Sequence, residues 1–236
     1  MAGLAVQAAR QQLSLEAPLQ SLSMQFMSPA RFGPIDLQAQ RIRGGRSIAY
    51  VAVEAVQGPR QVLAAQALFA SDAEGPLIAP LRRTPPAPVE ALSSDDPQSC
   101  AVPYFSRHFE YRFEQASRLG CGALPAVEQV WMRARDPAPL DEPRLCALLD
   151  AIYPTFLTSF TGPTPIAVTT GLYYEMLAPL SPATSPEGWI YLMFTTQHLA
   201  AGWAVEDAVA YDRSGMPIAL ARQRRKLISD ASGRVA

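Results

Sequence analysis

The sequence predicts an α+β fold built from two related halves, each a helix followed by antiparallel strands. Three observations carry that expectation. Apolar residues recur at helical spacing at 3–14 and again at 141–160, and each recurrence is followed by segments of period two. The ends of the two halves compare directly: VLAAQALF (62–69) resembles IALARQRRKL (218–227), with Gln66 answering to Gln223. A proline-rich stretch from Ser71 to Ser99 lies between them. Duplication at this scale implies two similar domains packed together, and one continuous sheet is an arrangement open to them.

Taken in order, GLAVQAARQQLS (3–14) places Leu4, Ala5, Ala8, Ala9 and Leu13 on one helical face. Strands are expected at Gln20–Met27, Ile35–Arg43, Ser47–Val56 and Gln61–Phe69, with Gly44-Gly45 and Gln57-Gly58-Pro59 as turns. From Ser71 the prolines remove ladder donors and fix φ, so this segment reads as a connector extended over the surface. The domain division is therefore 1–72, a linker at 73–99, and 100–232. In the second half, Tyr104–Phe113 and Val127–Arg135 are expected strands. Between Asp141 and Phe160 the residues Leu145, Leu148, Leu149, Ile152, Phe156, Leu157 and Phe160 form a helical stripe, with Asp141 as cap and Pro143 in the first turn. Pro154 should kink that helix or end its regular part.

Ile166–Tyr174 follows as a strand, and then the stretch 189–228, which carries the strongest strand patterns in the chain. Trp189–Thr196 is almost wholly apolar. Trp203–Tyr211 alternates, with Trp203, Val205, Asp207, Val209 and Tyr211 on one face and Glu206 on the other. Asp212-Arg213-Ser214-Gly215 reads as a hairpin turn, and Pro217–Ile228 is the last strand, with Gln223 set among apolar residues and a basic end.

Composition excludes several classes. With 49% hydrophobic and 17% charged residues the 236-residue chain is not generally disordered, and a net charge of −1 favours neither nucleic acid nor an anionic membrane. Lys226 is the single lysine among 20 basic residues, a skew that reads as genome composition rather than a binding surface. No apolar run reaches the ~18–20 residues that span a bilayer. The start shows no signal-peptide pattern, and Cys100, Cys121 and Cys146 suit no metal site, so free thiols in the cytoplasm are the expectation.

The segments PLQSLSMQFMSP, IDLQAQRIRGGRS, VLAAQALF, AVEQVWMRARD, TPIAVTTGLYYEML and 189–228, in this order and spacing, resemble the type II acyl-CoA thioesterases and their thioesterase-like relatives. The resemblance covers most of the chain outside the linker. It implies a double hotdog, each half wrapping a curved antiparallel sheet around one long helix. It also implies that the first half, which begins at its helix, either starts late in this sequence or is built short at the N-terminus. Its open sheet edge should then be covered by an oligomer contact, which makes a homo-oligomer the expectation, or by the linker.

In that family an Asp, a Ser or Thr and a Gln on adjacent strands hold the attacking water. The resemblance carries the Gln to Gln223 and the hydroxyl to Thr196, or to Thr195 on a one-residue slip. Thr169 stands in the strand expected to hold the Asp. Thr195 and Thr196 point to opposite faces, so at most one shares a site with Gln223. Gly202, Arg222 and Arg224 are the expected substrate-binding residues, the arginines as partners for coenzyme A phosphates or else as edge-strand charges.

The resulting expectation is a hydrolase of acyl thioesters such as acyl-CoA, without metal or other cofactor. The alternative is an acyl-CoA binding protein that lost its base, which Thr169 suggests. A hotdog dehydratase is disfavoured because His198 has no acidic partner in sequence. A serine-nucleophile hydrolase is disfavoured because Gly-x-Ser-x-Gly is absent.

Overall fold

A computed structural model describes residues 1–45, 47–71, 83, 87–92 and 104–228. The first half opens with helix α1 (Ala2–Leu13), followed by β1 (Leu19–Phe26), β2 (Asp36–Gly44), β3 (Ile48–Gln57) and β4 (Arg60–Ala70). The second half contributes β5 (Phe109–Phe113), β6 (Val127–Ala134), helix α2 (Glu142–Leu148), β7 (Ala167–Met176), β8 (Ile190–Ala200), β9 (Trp203–Tyr211) and β10 (Pro217–Leu227). Each expected strand core is present to within a few residues. One departure is at 104–108, where a 3₁₀ helix precedes β5.

All ten strands join one antiparallel sheet in the order β2-β3-β4-β1-β7-β10-β9-β8-β6-β5. The two halves meet at the β1–β7 seam, where Leu22 opposes Tyr174 and Met24 opposes Leu172. Both helices lie in the concave face of this sheet. Ala5, Val6 and Ala9 of α1 and Leu145, Leu148 and Leu149 of α2 share one core with Val53, Leu63, Met24, Leu172, Phe194 and Ala219. The small residues of α1 let the helices come close: a Cβ on Gly3 would lie 2.5 Å from the Pro143 carbonyl oxygen. This is the α+β double hotdog.

The second helix is much shorter than its apolar stripe suggests. It starts as expected, with Asp141 accepting from the Arg144 N–H at 2.8 Å, but ends at Leu148. Three side chains from the sheet and its surroundings take the carbonyls around this end. Tyr174 Oη donates to Cys146 O (2.8 Å), Gln223 Nε2 to Leu149 O (3.2 Å), and Tyr111 Oη to Ala151 O (3.0 Å). With those acceptors satisfied from outside, no further helical turn is needed to pair them. Pro154 is therefore not what ends the helix. It precedes a separate 3₁₀ segment, Thr155–Ser159, whose Phe156 and Leu157 supply the rest of the buried stripe.

The described part of the linker crosses the convex face of the second half. Val89 packs with Trp131, Trp189, Tyr191 and Tyr211, and Trp131 Nε1 donates to Ala87 O at 3.2 Å. It does not reach the open edge, β2, whose residues are mostly exposed. Cys121 and Cys146 are free, and Cys100 lies outside the described residues. Among the described residues no helix is long and apolar enough to cross a membrane.

Glu142 ties the halves together beneath the sheet. It receives Arg10 Nε (2.8 Å) and Nη2 on one oxygen and the Leu19 N–H (2.8 Å) on the other. Glu142→Ala leaves both donors unpaired at a site only 11% exposed. The expected loss is about 2–3 kcal/mol in denaturant titrations, or roughly 5–10 °C in Tm. Glu142→Gln, which keeps an acceptor for Leu19, should lose less.

Candidate active site

Beside the seam, at the ends of β1 and β7, a cavity of about 490 Å³ is walled by both halves. Phe26, Met27 and Val62 line it from the first half, and Asp150, Thr169 and Arg225 from the second. The apolar side is broad, and the polar groups are few and convergent, the usual make-up of a small-molecule site.

Asp150 reaches the cavity because α2 stops just before it. Gln223, on β10 and 5% exposed, donates from Nε2 to Asp150 Oδ1 at 3.2 Å as well as to Leu149 O. Both contacts are acceptors, so the amide orientation is settled: its NH₂ faces them and its Oε1 faces away. That Oε1 is buried with no donor among the described residues. Burial raises the Asp150 carboxyl above the ordinary range, and the Arg225 charge and the Gln223 hydrogen bond pull it partly back.

Next to this pair lies a buried ion pair. Arg225 Nε donates to Glu206 Oε2 at 2.6 Å, and the side chains are 8% and 5% exposed. Glu206 Oε1 accepts the Phe156 N–H (3.1 Å) and the Thr196 hydroxyl (3.4 Å). Arg225 Nη1 donates to Thr169 Oγ1 at 2.8 Å. Since Thr169 Oγ1 already accepts a hydrogen bond, its own proton is free to be donated elsewhere. A bulge between Arg224 and Arg225 sets Thr169 opposite Arg225.

The expected residues divide by face. Gln223 and Thr169 come together through Arg225 and Asp150 on the concave side. Thr196 stands in the same cross-strand row, opposite Glu206, which is itself opposite Gln223. It is held to Glu206 and does not line the cavity. Thr195 opposes Asp207, a residue of the convex side. Arg222 and Arg224 also leave the strand on that side: Arg222 pairs with Asp207 at 2.6 Å, and the Arg224 guanidinium stacks 4.8 Å from the Trp203 ring centroid. Gly202 occupies the β8–β9 turn at φ +74°. The structure thus separates Thr195, Gly202, Arg222 and Arg224 from the cavity. The acid that touches Gln223 is Asp150, from just beyond the end of α2 and not from the strand that holds Thr169. The available signal was a carboxylate inside the apolar run ALLDAIY (147–153). His108 and His198 are both exposed. Among the described residues no group of three His, Cys, Asp or Glu could hold a metal ion.

The first half has no counterpart of this cluster. Met24 opposes Ala65 as Leu172 opposes Gln223. With Met24 matched to Leu172, Gln223 corresponds to Ala65, Arg225 to Ala67, and Glu206 to Val53, all apolar. Gln66, the match expected from sequence, is exposed on the convex face.

Comparison with known proteins agrees with this architecture. A hotdog-fold protein of unknown function from Alicyclobacillus acidocaldarius superposes with a TM-score of 0.86 at 20% identity, covering 96% of this chain and 84% of that one. A protein from Thermobifida fusca assigned as a thioesterase II gives 0.78 at 20% identity, over 95% and 84%. An acyl-CoA thioesterase II from Mycobacterium marinum gives 0.71 at 17% identity, over 96% and 86%. No curated protein matches the sequence. The acyl-CoA thioesterase N-terminal domain family matches residues 1–70, and the acyl-CoA thioesterase C-terminal domain family matches residues 84–224. With both domains matched in order across nearly its whole length, the chain belongs to the acyl-CoA thioesterase family.

Proposed function

We propose that the protein hydrolyses acyl-CoA thioesters in the cavity beside the seam, with Asp150 as general base. The observation that carries this reading is the hydrogen bond between Gln223 and Asp150 at the wall of a largely apolar pocket. A water donating a hydrogen to Asp150, whose carboxylate Gln223 holds through Nε2, would present its lone pair to the thioester carbonyl. Asp150 takes a proton as the water oxygen bonds to the carbonyl carbon. Collapse of the tetrahedral intermediate breaks the carbon–sulfur bond, and the proton passes to the departing thiolate. The products are a carboxylic acid and free coenzyme A. Phe26, Met27 and Val62 offer the acyl group an apolar wall. The alternative, an acyl-CoA binding protein that lost its base, rests on Thr169; the contact of Asp150 with Gln223 supports the hydrolase reading instead.

Release of free thiol from acyl-CoAs of graded chain length is the direct test, and wild type that binds but never turns over would sink the hydrolase reading. Asp150→Asn and Gln223→Ala should each lower kcat by about 10²–10⁴-fold. The base must be ionised to act. With its carboxyl raised by burial, kcat should climb with pH through a value above the ordinary carboxylate range and then level. The same burial means the folded chain carries the charged Asp150 at a cost near neutral pH. Asp150→Asn, which keeps an acceptor for Gln223, should therefore match or exceed wild type in Tm while losing activity.

A further inference from the structure

Arg225 does more than its ion pair with Glu206 requires. A guanidinium that only neutralises a carboxylate commonly meets it as a two-pronged fork. Here Nε alone contacts Glu206, and Glu206 fills its other oxygen with the Phe156 N–H and the Thr196 hydroxyl. The end of the guanidinium is left for the cavity, which Arg225 lines. One hydrogen of Nη1 goes to Thr169, and Nη2 makes no hydrogen bond among the described residues.

Several polar groups at or beside the wall are already committed. Both hydrogens of the Gln223 amide are committed to Leu149 O and Asp150. Thr170 Oγ1 donates to Arg224 O at 3.0 Å. Asp150 is an acid. Among the side chains lining the cavity, Arg225 is the one cation.

We infer that Arg225 Nη2, with the Thr169 hydroxyl beside it, forms the oxyanion site of the thioester reaction. This rests on the reading of the cavity as a thioester hydrolysis site. As water adds to the carbonyl carbon, the carbonyl π electrons move onto oxygen, and that oxygen settles on Nη2 and the Thr169 hydroxyl. Glu206 holds the guanidinium in place before substrate arrives, so little reorganisation accompanies the reaction, and a donor fixed in a low-dielectric pocket acts on the transition state. Arg225 is then a catalytic residue, and Glu206 a positioning residue that acts through it.

Removing Arg225 alone would strand a buried carboxylate, so the decisive variant is Arg225→Met with Glu206→Gln, which retains an acceptor for the Phe156 N–H. Arg225→Lys is the second variant, keeping the charge but not the reach to Glu206, Thr169 and substrate together. In whichever of the two folds, judged by circular dichroism and Tm, thiol release from hexanoyl-CoA should fall about 10²–10³-fold in kcat. Binding of the S-hexyl thioether of coenzyme A, which has no carbonyl, should stay within threefold of wild type. A folded variant that keeps kcat within threefold, while Asp150→Asn loses it, overturns the oxyanion role and leaves the hydrolase reading intact. Equal losses of turnover and thioether binding also overturn it, since they mark a collapsed pocket. No thiol release by wild type overturns both readings.

Discussion

The ion pair between Glu206 and Arg225 is the constraint on which the surrounding structure depends. Two opposite charges buried together are tolerable only when their remaining hydrogen-bonding groups are also satisfied. Here that requirement recruits the Phe156 N–H from the 3₁₀ segment, the Thr196 hydroxyl from β8 and the Thr169 hydroxyl from β7. The pair therefore ties three strands and a connecting segment to β10, the strand that carries Gln223. Gln223 in turn meets the end of α2 and the Asp150 carboxylate. Structural and chemical roles are not separable at this point of the fold.

Polarity at this cluster is asymmetric between two halves of the same design. Positions occupied by Gln223, Arg225 and Glu206 in the second half hold Ala65, Ala67 and Val53 in the first, and these are buried. The first half uses the equivalent space as ordinary core. Its helix α1 needs no interruption there and runs on to Leu13, whereas α2 is stopped at Leu148 by hydroxyl and amide donors from Tyr174, Gln223 and Tyr111.

The strands were legible in the sequence because half-buried strands impose period two, and turns such as Asp212–Gly215 carry their own chemistry: Asp212 Oδ1 accepts from Ser214 N and Met216 N. The length of the second helix was not legible. Leu145 through Phe160 keep a helical stripe because all of that stretch is buried, yet the groups that end the helix lie far away in sequence. Asp150 escaped notice for the same reason: its role follows from where α2 stops, not from a motif. Gln223 and Thr169 stand near the cavity as expected, but Arg222 and Arg224 do not, because the alternation of β10 decides which side chains face it. Arg225 faces inward with Gln223, while Arg222 and Arg224 face the other way.

The β1–β7 seam has one more consequence, for how such a protein can diversify. The cavity takes its apolar wall mainly from the segment around Phe26 and Met27 and its charged groups wholly from the second half. Duplication has thus allowed the two copies to differ, one lending this cavity apolar surface and the other its charged side chains. Drift in the first half can therefore reshape the cavity without disturbing a single hydrogen bond of the Glu206–Arg225 cluster, so shape and polarity at this site are free to evolve separately.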